Sequence, residues 1–356
     1  MRTLSVVGAR PNFVKMAPVL AALHRGMPDD RHALVHSGQH YDRMMSEIFF
    51  EELGVPEPDH SLGVGSGTHS EQTARVMERF EPVLLEEAPD LVIVSGDVNS
   101  TLGAALVAAK AHMPLAHVEA GLRSYDRTMP EEVNRIVADE FSDYLFAHSQ
   151  EAIENLAKEG IAGDRVHLVG NTMIDSLVAM EERFRDRDAA GALGLERGSY
   201  VLVTLHRPAL VDGELLAPAM EQLAALAGEL PVLFPAHPRT RSHMAGLAEA
   251  PGLHVVEPVG YLDFLSLQAD ARAVLTDSGG VQEESTYLGV PCFTLRATTE
   301  RPVTVRAGTN TMLGLDPARI ADILPALAAG STAPAQPPPL WDGHAAERIV
   351  DVLAGA

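Results

Sequence analysis

The chain has 356 residues, 46% of them hydrophobic, and a formal net charge of −22. That length suits two domains with sizeable cores. The charge argues against a nucleic-acid or anionic-membrane surface, so an anionic ligand must be held by local arginines and helix ends. A single cysteine, Cys292, excludes an internal disulfide and any cysteine-rich metal site, and its apolar setting reads as a buried, inert thiol.

Residues 3–7 read as a short buried strand, and Phe13, Val14, Ala17, Leu20 and Leu23 then keep helical spacing up to Gly26. Between them lies the turn Gly8-Ala9-Arg10-Pro11-Asn12. Arg10 there, and Lys15 in the first helical turns, oppose the helix dipole; a bound phosphate or carboxylate is one reason for them, ordinary surface placement the other. Residues 33–36 form a strand and 44–53 a helix. Gly63-Val64-Gly65-Ser66-Gly67 suits a mobile active-site loop or a plain connector before the helix 70–87. Strands at 91–95 and 115–118 end near Asp97 and Glu119, on the edge where open α/β sheets bind ligands. Asp97 could also be a helix N-cap, a reading that fits Glu119 poorly. Glu131 follows Pro130 at a helix start, where the dipole alone would favour a carboxylate. Strands at 144–147 and 166–169 close this half.

The pattern weakens around residues 170–198, where the charged run 181–188 reads as a solvated helix face. A second alternation begins at residues 200–205 and ends in His206-Arg207-Pro208. Strands at 232–234 and 253–256 follow, the first running into His237-Pro238-Arg239. Next come Phe264 and a strand–turn–helix–strand unit at 273–295 whose turn is Asp277-Ser278-Gly279-Gly280. A glycine-rich turn at a strand end and helix start suits an anion. Ser278 can cap that helix and offer its hydroxyl to phosphate. Glu284, in the first turns, suits ribose hydroxyls, and Arg301 can fork onto a phosphate. Pro334 to Pro339 reads as a semi-rigid linker before a closing helix. Two βα-alternating halves imply an α/β fold of two doubly wound Rossmann-like domains with a cleft: residues 1–170, rejoined by 345–356, and residues 171–344. The chain opens on a strand, no leader-like stretch precedes it, and no apolar run approaches a membrane span, so a soluble, cytoplasmic protein is expected.

Taken together these segments resemble the non-hydrolysing UDP-N-acetylglucosamine 2-epimerase family. The blocks are Gly8 to Lys15, Ser95-Gly96-Asp97, His117 to Arg123, Pro130 to Arg135, His206-Arg207, and Asp277 through Arg301, where Asp-Ser-Gly-Gly-x-Gln-Glu-Glu and Thr-Thr-Glu-Arg-Pro are the most specific. The resemblance implies a GT-B fold, interconversion of UDP-GlcNAc and UDP-ManNAc, a homodimer, and no required metal or nicotinamide cofactor. It implies that Arg10, Ser278, Gly279, Gly280 and Arg301 contact the diphosphate, that Glu284 meets the ribose and that Phe264 lies against the uracil. Lys15, Asp97, Glu119, Glu131 and His206 would surround the sugar. Two departures, Pro208-Ala209-Leu210 after His206-Arg207 and the segment His40-Tyr41-Asp42-Arg43, leave open a modified sugar such as a diacetamido-uronic acid and the presence of an activating site. A GT-B glycosyltransferase and a nucleotide-sugar sensor are the rival readings. Three carboxylates near the sugar suit neither, but they do suit elimination of UDP to a glycal and re-addition, which need ionisable groups on both ring faces.

Overall fold

The structure is a computed structural model that describes residues 1–38, 52–236, 238–244, 250–330 and 336–355, with the backbone alone at Arg10, Pro238 and Arg239. The segment His40 to Arg43 and most of the 44–53 helix therefore lie outside the described residues, as do His237 and the start of the proline-rich stretch.

The chain divides into two compact units, residues Met1–Ala179 with Pro339–Ala356, and residues Met180–Pro338. In the first unit seven parallel strands lie in the order β3-β2-β1-β4-β5-β6-β7: β1 Arg2–Val7, β2 Arg31–His36, β3 His60–Ser61, β4 Leu91–Ser95, β5 Leu115–Ala120, β6 Tyr144–Ala147 and β7 Val166–Leu168. The near-continuous apolar run of β4 is explained by burial on both faces, and the interiors of β1 and β2 are likewise buried. Leu4, Val6, Val35, Val92 and Val94 pack with Val76, Phe80 and Leu84 of the helix His69–Glu87 and the alanines of the helix Asn99–Lys110. At Gly103 a Cβ would lie 2.6 Å from a Val76 methyl, so only glycine lets these two helices approach so closely.

The second unit holds six parallel strands in the order β10-β9-β8-β11-β12-β13: β8 Val201–Thr204, β9 Val232–Pro235, β10 Leu253–Val256, β11 Ala273–Thr276, β12 Cys292–Thr294 and β13 Asn310–Met312. Its core joins Val201, Val203, Phe234, Leu275 and Phe293 to Leu216, Met220 and Leu223 of the helix Leu216–Ala227. Cys292 is buried, which pushes its thiol up to about 12.

Each sheet reverses its strand order once, between β1 and β4 and between β8 and β11. Doubly wound sheets bind ligands beyond the carboxyl ends of the strands at that reversal.

Two sequence expectations shift, and one left open is resolved. The division falls after Ala179 and not at Gly170, because the helix Thr172–Ala179 is tied to the first unit. Ser176 Oγ donates to the Val14 carbonyl at 2.5 Å, and Asp175 accepts from the backbone N–H groups of Ala345 and Ala346, which seats the closing helix Ala345–Ala354 on the same unit. The glycine loop 63–67 is a held connector. Arg79 donates to the Leu62 and Gly63 carbonyls, Arg75 to those of Val64 and Ser66, and Gln72 to that of Gly65. The strand expected at 115–118 runs on to Ala120, with a register shift between Val118 and Ala120. Among the described residues no helix is long and apolar enough to cross a membrane.

Candidate functional site

In the first unit the ends of β1, β4 and β5 are tied together by side chains. Asn12, in the first turn after β1, accepts from the backbone N–H groups of Gly8 and Ala9 at 3.3 and 3.2 Å. Its amide donates to the Ser95 carbonyl at the end of β4, at 2.8 Å. His117 on β5 faces the Gly96 carbonyl through Nε2 at 2.7 Å and Asp139 through Nδ1 at 2.6 Å. Asp139 also accepts from the Gly121 N–H and from Arg123 at 3.1 and 2.7 Å. Burial works against the Asp139 charge, but the His117 and Arg123 contacts outweigh it and hold the carboxyl below its usual range. The strand ends are thereby fixed.

Glu119 is the residue displaced by the β5 register shift, and its φ of +70° lies in the left-handed region. A bulge re-aims one side chain out of the strand alternation, and such strain gathers at functional positions. The Glu119 carboxylate meets Lys15 in a buried ion pair, both side chains being about one-twentieth exposed. That pair is why a lysine stands near a helix N-terminus against the dipole. It sits directly over Gly96, where a Cβ would lie 3.0 Å from Lys15 Nζ and 3.4 Å from Glu119 Oε2, at a φ of +61°. The turn Gly96-Asp97 thus needs glycine twice over.

Asp97 caps no helix. The helix Asn99–Lys110 has Val98 as its N-cap with no side-chain cap bond, and the Asp97 carboxylate is instead paired with Arg135 of the helix Pro130–Phe141. Asn134 of that helix donates to the Asp97 carbonyl at 2.8 Å. Glu131 shares a helix face with Asn134 and Arg135, three and four residues on, and so lies on the face turned toward Asp97. Asp97, Glu119 and Lys15 are brought to one strand-end cluster, and Glu131 flanks it. Arg10 begins the helix Arg10–Gly26 at the same sheet edge, with its side chain outside the described residues.

In the second unit the reversal point lies between His206-Arg207 after β8 and Asp277-Ser278 after β11. Asp277 accepts from the backbone N–H groups of His206 and Arg207 at 2.9 and 2.8 Å, and its other oxygen stands 2.9 Å from His206 Nδ1. Burial would raise this carboxyl, yet the His206 and Arg207 contacts hold it low. Asp277 therefore orients the His206 ring through Nδ1. Ser278 occupies the N-cap position of the helix Gly279–Leu288, but its side chain makes no cap bond. The expected hydroxyl cap is absent, and the Ser278 N–H donates to the Thr276 hydroxyl at 2.9 Å, so the helix start offers the N–H groups that follow it and the Ser278 hydroxyl. Arg301 lies against Gly279, with Nε 3.0 Å from Glu283 and Nη1 2.5 Å from Glu300, both buried. Its charge is already matched inside the protein, so it walls the turn as well as facing it. Glu284 accepts from the Tyr261 hydroxyl at 2.8 Å, and burial raises its carboxyl to about 7. Phe264 lies three residues after Tyr261 on one helix face, half-buried and packed on the unit's second apolar cluster.

Asp277, Asn12, Asn134, Arg135, His117 and Tyr261 carry site geometry that the sequence did not assign to them. The signal was present for most, since they lie inside the motif blocks, but each acts through a residue distant along the chain. Among the described residues no group of three or more His, Cys, Asp or Glu is placed to hold a metal ion.

Residues 25–354 match the family model described as UDP-N-acetylglucosamine 2-epimerase. The chain is 42% identical over 327 residues to the UDP-N-acetylglucosamine 2-epimerase of Methanocaldococcus jannaschii, covering 88% of each chain. It is also 42% identical over 319 residues to the UDP-2,3-diacetamido-2,3-dideoxy-D-glucuronate 2-epimerase of Pseudomonas aeruginosa, again 88% of each. Among solved structures, the M. jannaschii UDP-GlcNAc 2-epimerase in complex with UDP-GlcNAc and UDP is similar with a TM-score of 0.91, 38% identity and full coverage of both chains. The Neisseria meningitidis UDP-GlcNAc 2-epimerase bound to UDP-GlcNAc matches with a TM-score of 0.92 at 30% identity, also over both whole chains. The fold is of the GT-B type that these relatives share.

Proposed function

Since the chain belongs to the UDP-N-acetylglucosamine 2-epimerase family, whose members are isomerases, we propose that it interconverts UDP-GlcNAc and UDP-ManNAc by elimination and re-addition of UDP. The observation that carries this is the strand-end cluster of Asp97, Glu119 and Lys15, flanked by Glu131, on a fold whose other unit presents a phosphate-type turn. An acceptor-binding transferase has no use for three such carboxylates.

The proton at C2 of the sugar is barely acidic while C1 is saturated and neutral. As the C1–O bond breaks, its electrons leave on the diphosphate and C1 becomes oxocarbenium-like, which acidifies C2. A carboxylate then takes the C2 proton and the C1–C2 double bond of the glycal forms. In return, a protonated carboxyl gives a proton to the opposite face of C2, and the diphosphate oxygen attacks C1. Departing charge is met by the helix-start N–H groups of Gly279 and Gly280, by the Ser278 hydroxyl, by Arg10 and by His206, with Arg301 supporting the turn. Asp97, Glu119 and Glu131 supply the proton traffic, and Glu284 and Phe264 hold ribose and base. The homodimer and the cytoplasmic setting belong to the same reading.

Incubation with UDP-GlcNAc followed by proton NMR tests it: a UDP-ManNAc anomeric signal should appear with no added metal or nicotinamide. An unchanged spectrum would refute the reading. The Pseudomonas aeruginosa relative, as similar to this chain as the M. jannaschii one, favours a second substrate, UDP-2,3-diacetamido-glucuronic acid. Faster turnover of that sugar would transfer the assignment to it.

Nucleotide binding should also be proton-linked. Burial leaves Glu284 holding its proton up to about pH 7 in the free protein, whereas ribose hydroxyls donating to it favour the carboxylate. A group whose pKa falls on binding strengthens binding above its free value and weakens it below. UDP-GlcNAc affinity is therefore expected to be full above pH 7 and to fall by up to about tenfold per pH unit beneath it. The diphosphate of this ligand does not titrate there. Calorimetry should register proton release near neutrality in the wild type and none in Glu284→Gln; equal release in both would remove Glu284 from the site.

A further inference from the structure

Arg135 bridges two carboxylates that differ sharply in surroundings. One guanidinium nitrogen, Nη1, meets Glu132 at 2.6 Å, and that carboxylate is 1% exposed. The other, Nη2, meets Asp97, whose side chain is 22% exposed. Glu132 is itself fixed: it accepts from the backbone N–H and the hydroxyl of Ser124, each at 2.9 Å, and from the Tyr125 N–H at 2.8 Å. Arg135 is thus a bracket with one buried foot and one tip offered to the accessible carboxylate. A planar fork holds two acceptors in one fixed geometry, whereas a lysine ammonium is a compact point charge with no set direction.

Building on the proposed epimerase reading, we propose that Arg135 is the positioning residue for Asp97, holding its carboxylate in the reactive orientation and tying that orientation to the loop at Ser124 and Tyr125. The rest of the surroundings agrees. Asn134, beside Arg135, donates to the Asp97 carbonyl and is itself bonded to Asn99, which also meets Gln72 and His69, so the Asp97 backbone is fixed as well as its carboxylate. Lys15, the nearby cation, is committed to Glu119. Among the described residues Arg135 is the cation paired with Asp97. Tyr125, whose backbone is bonded to Glu132, has a φ of +60°, a strained conformation that the Glu132 contacts maintain.

The test compares Arg135→Gln, Arg135→Lys, Asp97→Asn and the double variant. Arg135→Gln is expected to lower kcat about 10²-fold with KM within about threefold of wild type, because unit 2 still holds the nucleotide. Arg135→Lys should recover part of the loss, and guanidinium added to Arg135→Ala should recover more. The double variant should be no slower than Asp97→Asn, since both act through one carboxylate. Wild-type kcat in Arg135→Gln, no rescue, or additive losses would overturn the proposal. Arginine side-chain 15N NMR gives a readout that needs no turnover: rotation of the Arg135 guanidinium should be hindered in the wild type and faster in Asp97→Asn, where Glu132 is its remaining anchor. Unchanged rotation would equally overturn the bracket. A wild type with hindered rotation but no C2 chemistry would instead strike the epimerase reading and leave the geometry standing.

Discussion

Replacing Glu119 by glutamine is expected to lower turnover about 10²- to 10⁴-fold, the range for losing a general acid or base, with UDP affinity within about twofold of wild type. The side chain keeps its size, and its amide oxygen still accepts from Lys15. What disappears is the charge at the one residue that the β5 bulge turns out of the strand. Stability is a separate matter, because breaking a buried ion pair costs about 3–5 kcal/mol when one charge is left unmatched. Glutamine should lose less than that, and pairing it with Lys15→Met should recover stability without recovering turnover. Melting temperature and kcat measured on the three proteins separate the two effects. Near-normal turnover in Glu119→Gln, or UDP affinity falling in step with turnover, would show that Glu119 is only a structural partner of Lys15.

Gly279→Ala should have the largest effect on nucleotide binding. The added Cβ would lie 2.3 Å from Arg301 Nη1 and 2.7 Å from its Cζ. A flexible side chain would swing aside, but this guanidinium is held by Glu300 at 2.5 Å and by Glu283 at 3.0 Å, all three residues being buried. Either the pinned arginine or the turn must move, and overpacking of this kind costs about 1–3 kcal/mol. If the turn moves, its N–H groups no longer converge on phosphate, and UDP should bind about 10- to 100-fold more weakly, at 1.4 kcal/mol per decade. Calorimetry on the folded variant reads this directly. Unaltered UDP affinity would mean that the diphosphate is held elsewhere.

The sequence made the strand-end residues legible because their physics is local. A buried strand, a turn and a helix start can each be read within about ten residues, so Asp97, Glu119, His206 and Ser278 emerge as candidates on the right edge of each sheet. Their partners do not emerge, because those contacts depend on tertiary packing. Lys15 and Glu119 lie 104 residues apart, Asp97 and Arg135 38 apart, and Asp277 meets His206 across 71. The cap reading of Asp97 was open on sequence grounds and is closed only by the Arg135 pair. The strand end at 118 was misplaced for a related reason: a bulge is defined by register against β6, which hydrophobic alternation along β5 does not carry. Ser278 shows the reverse limit. Its position at the N-cap is legible, whereas the absence of its cap bond shows only in the three-dimensional structure. Arg301 reads in sequence as an arginine able to fork onto a phosphate; only the fold shows its guanidinium paired with Glu283 and Glu300.

In this mechanism C2 of the sugar loses its proton to the protein during turnover. Epimerisation of UDP-GlcNAc in D₂O, followed by proton NMR and mass spectrometry, tests it most directly. Elimination and re-addition predict product carrying deuterium at C2, with label entering the remaining substrate on longer incubation as the glycal partitions both ways. Product formed with C2 fully protonated in D₂O would contradict the account.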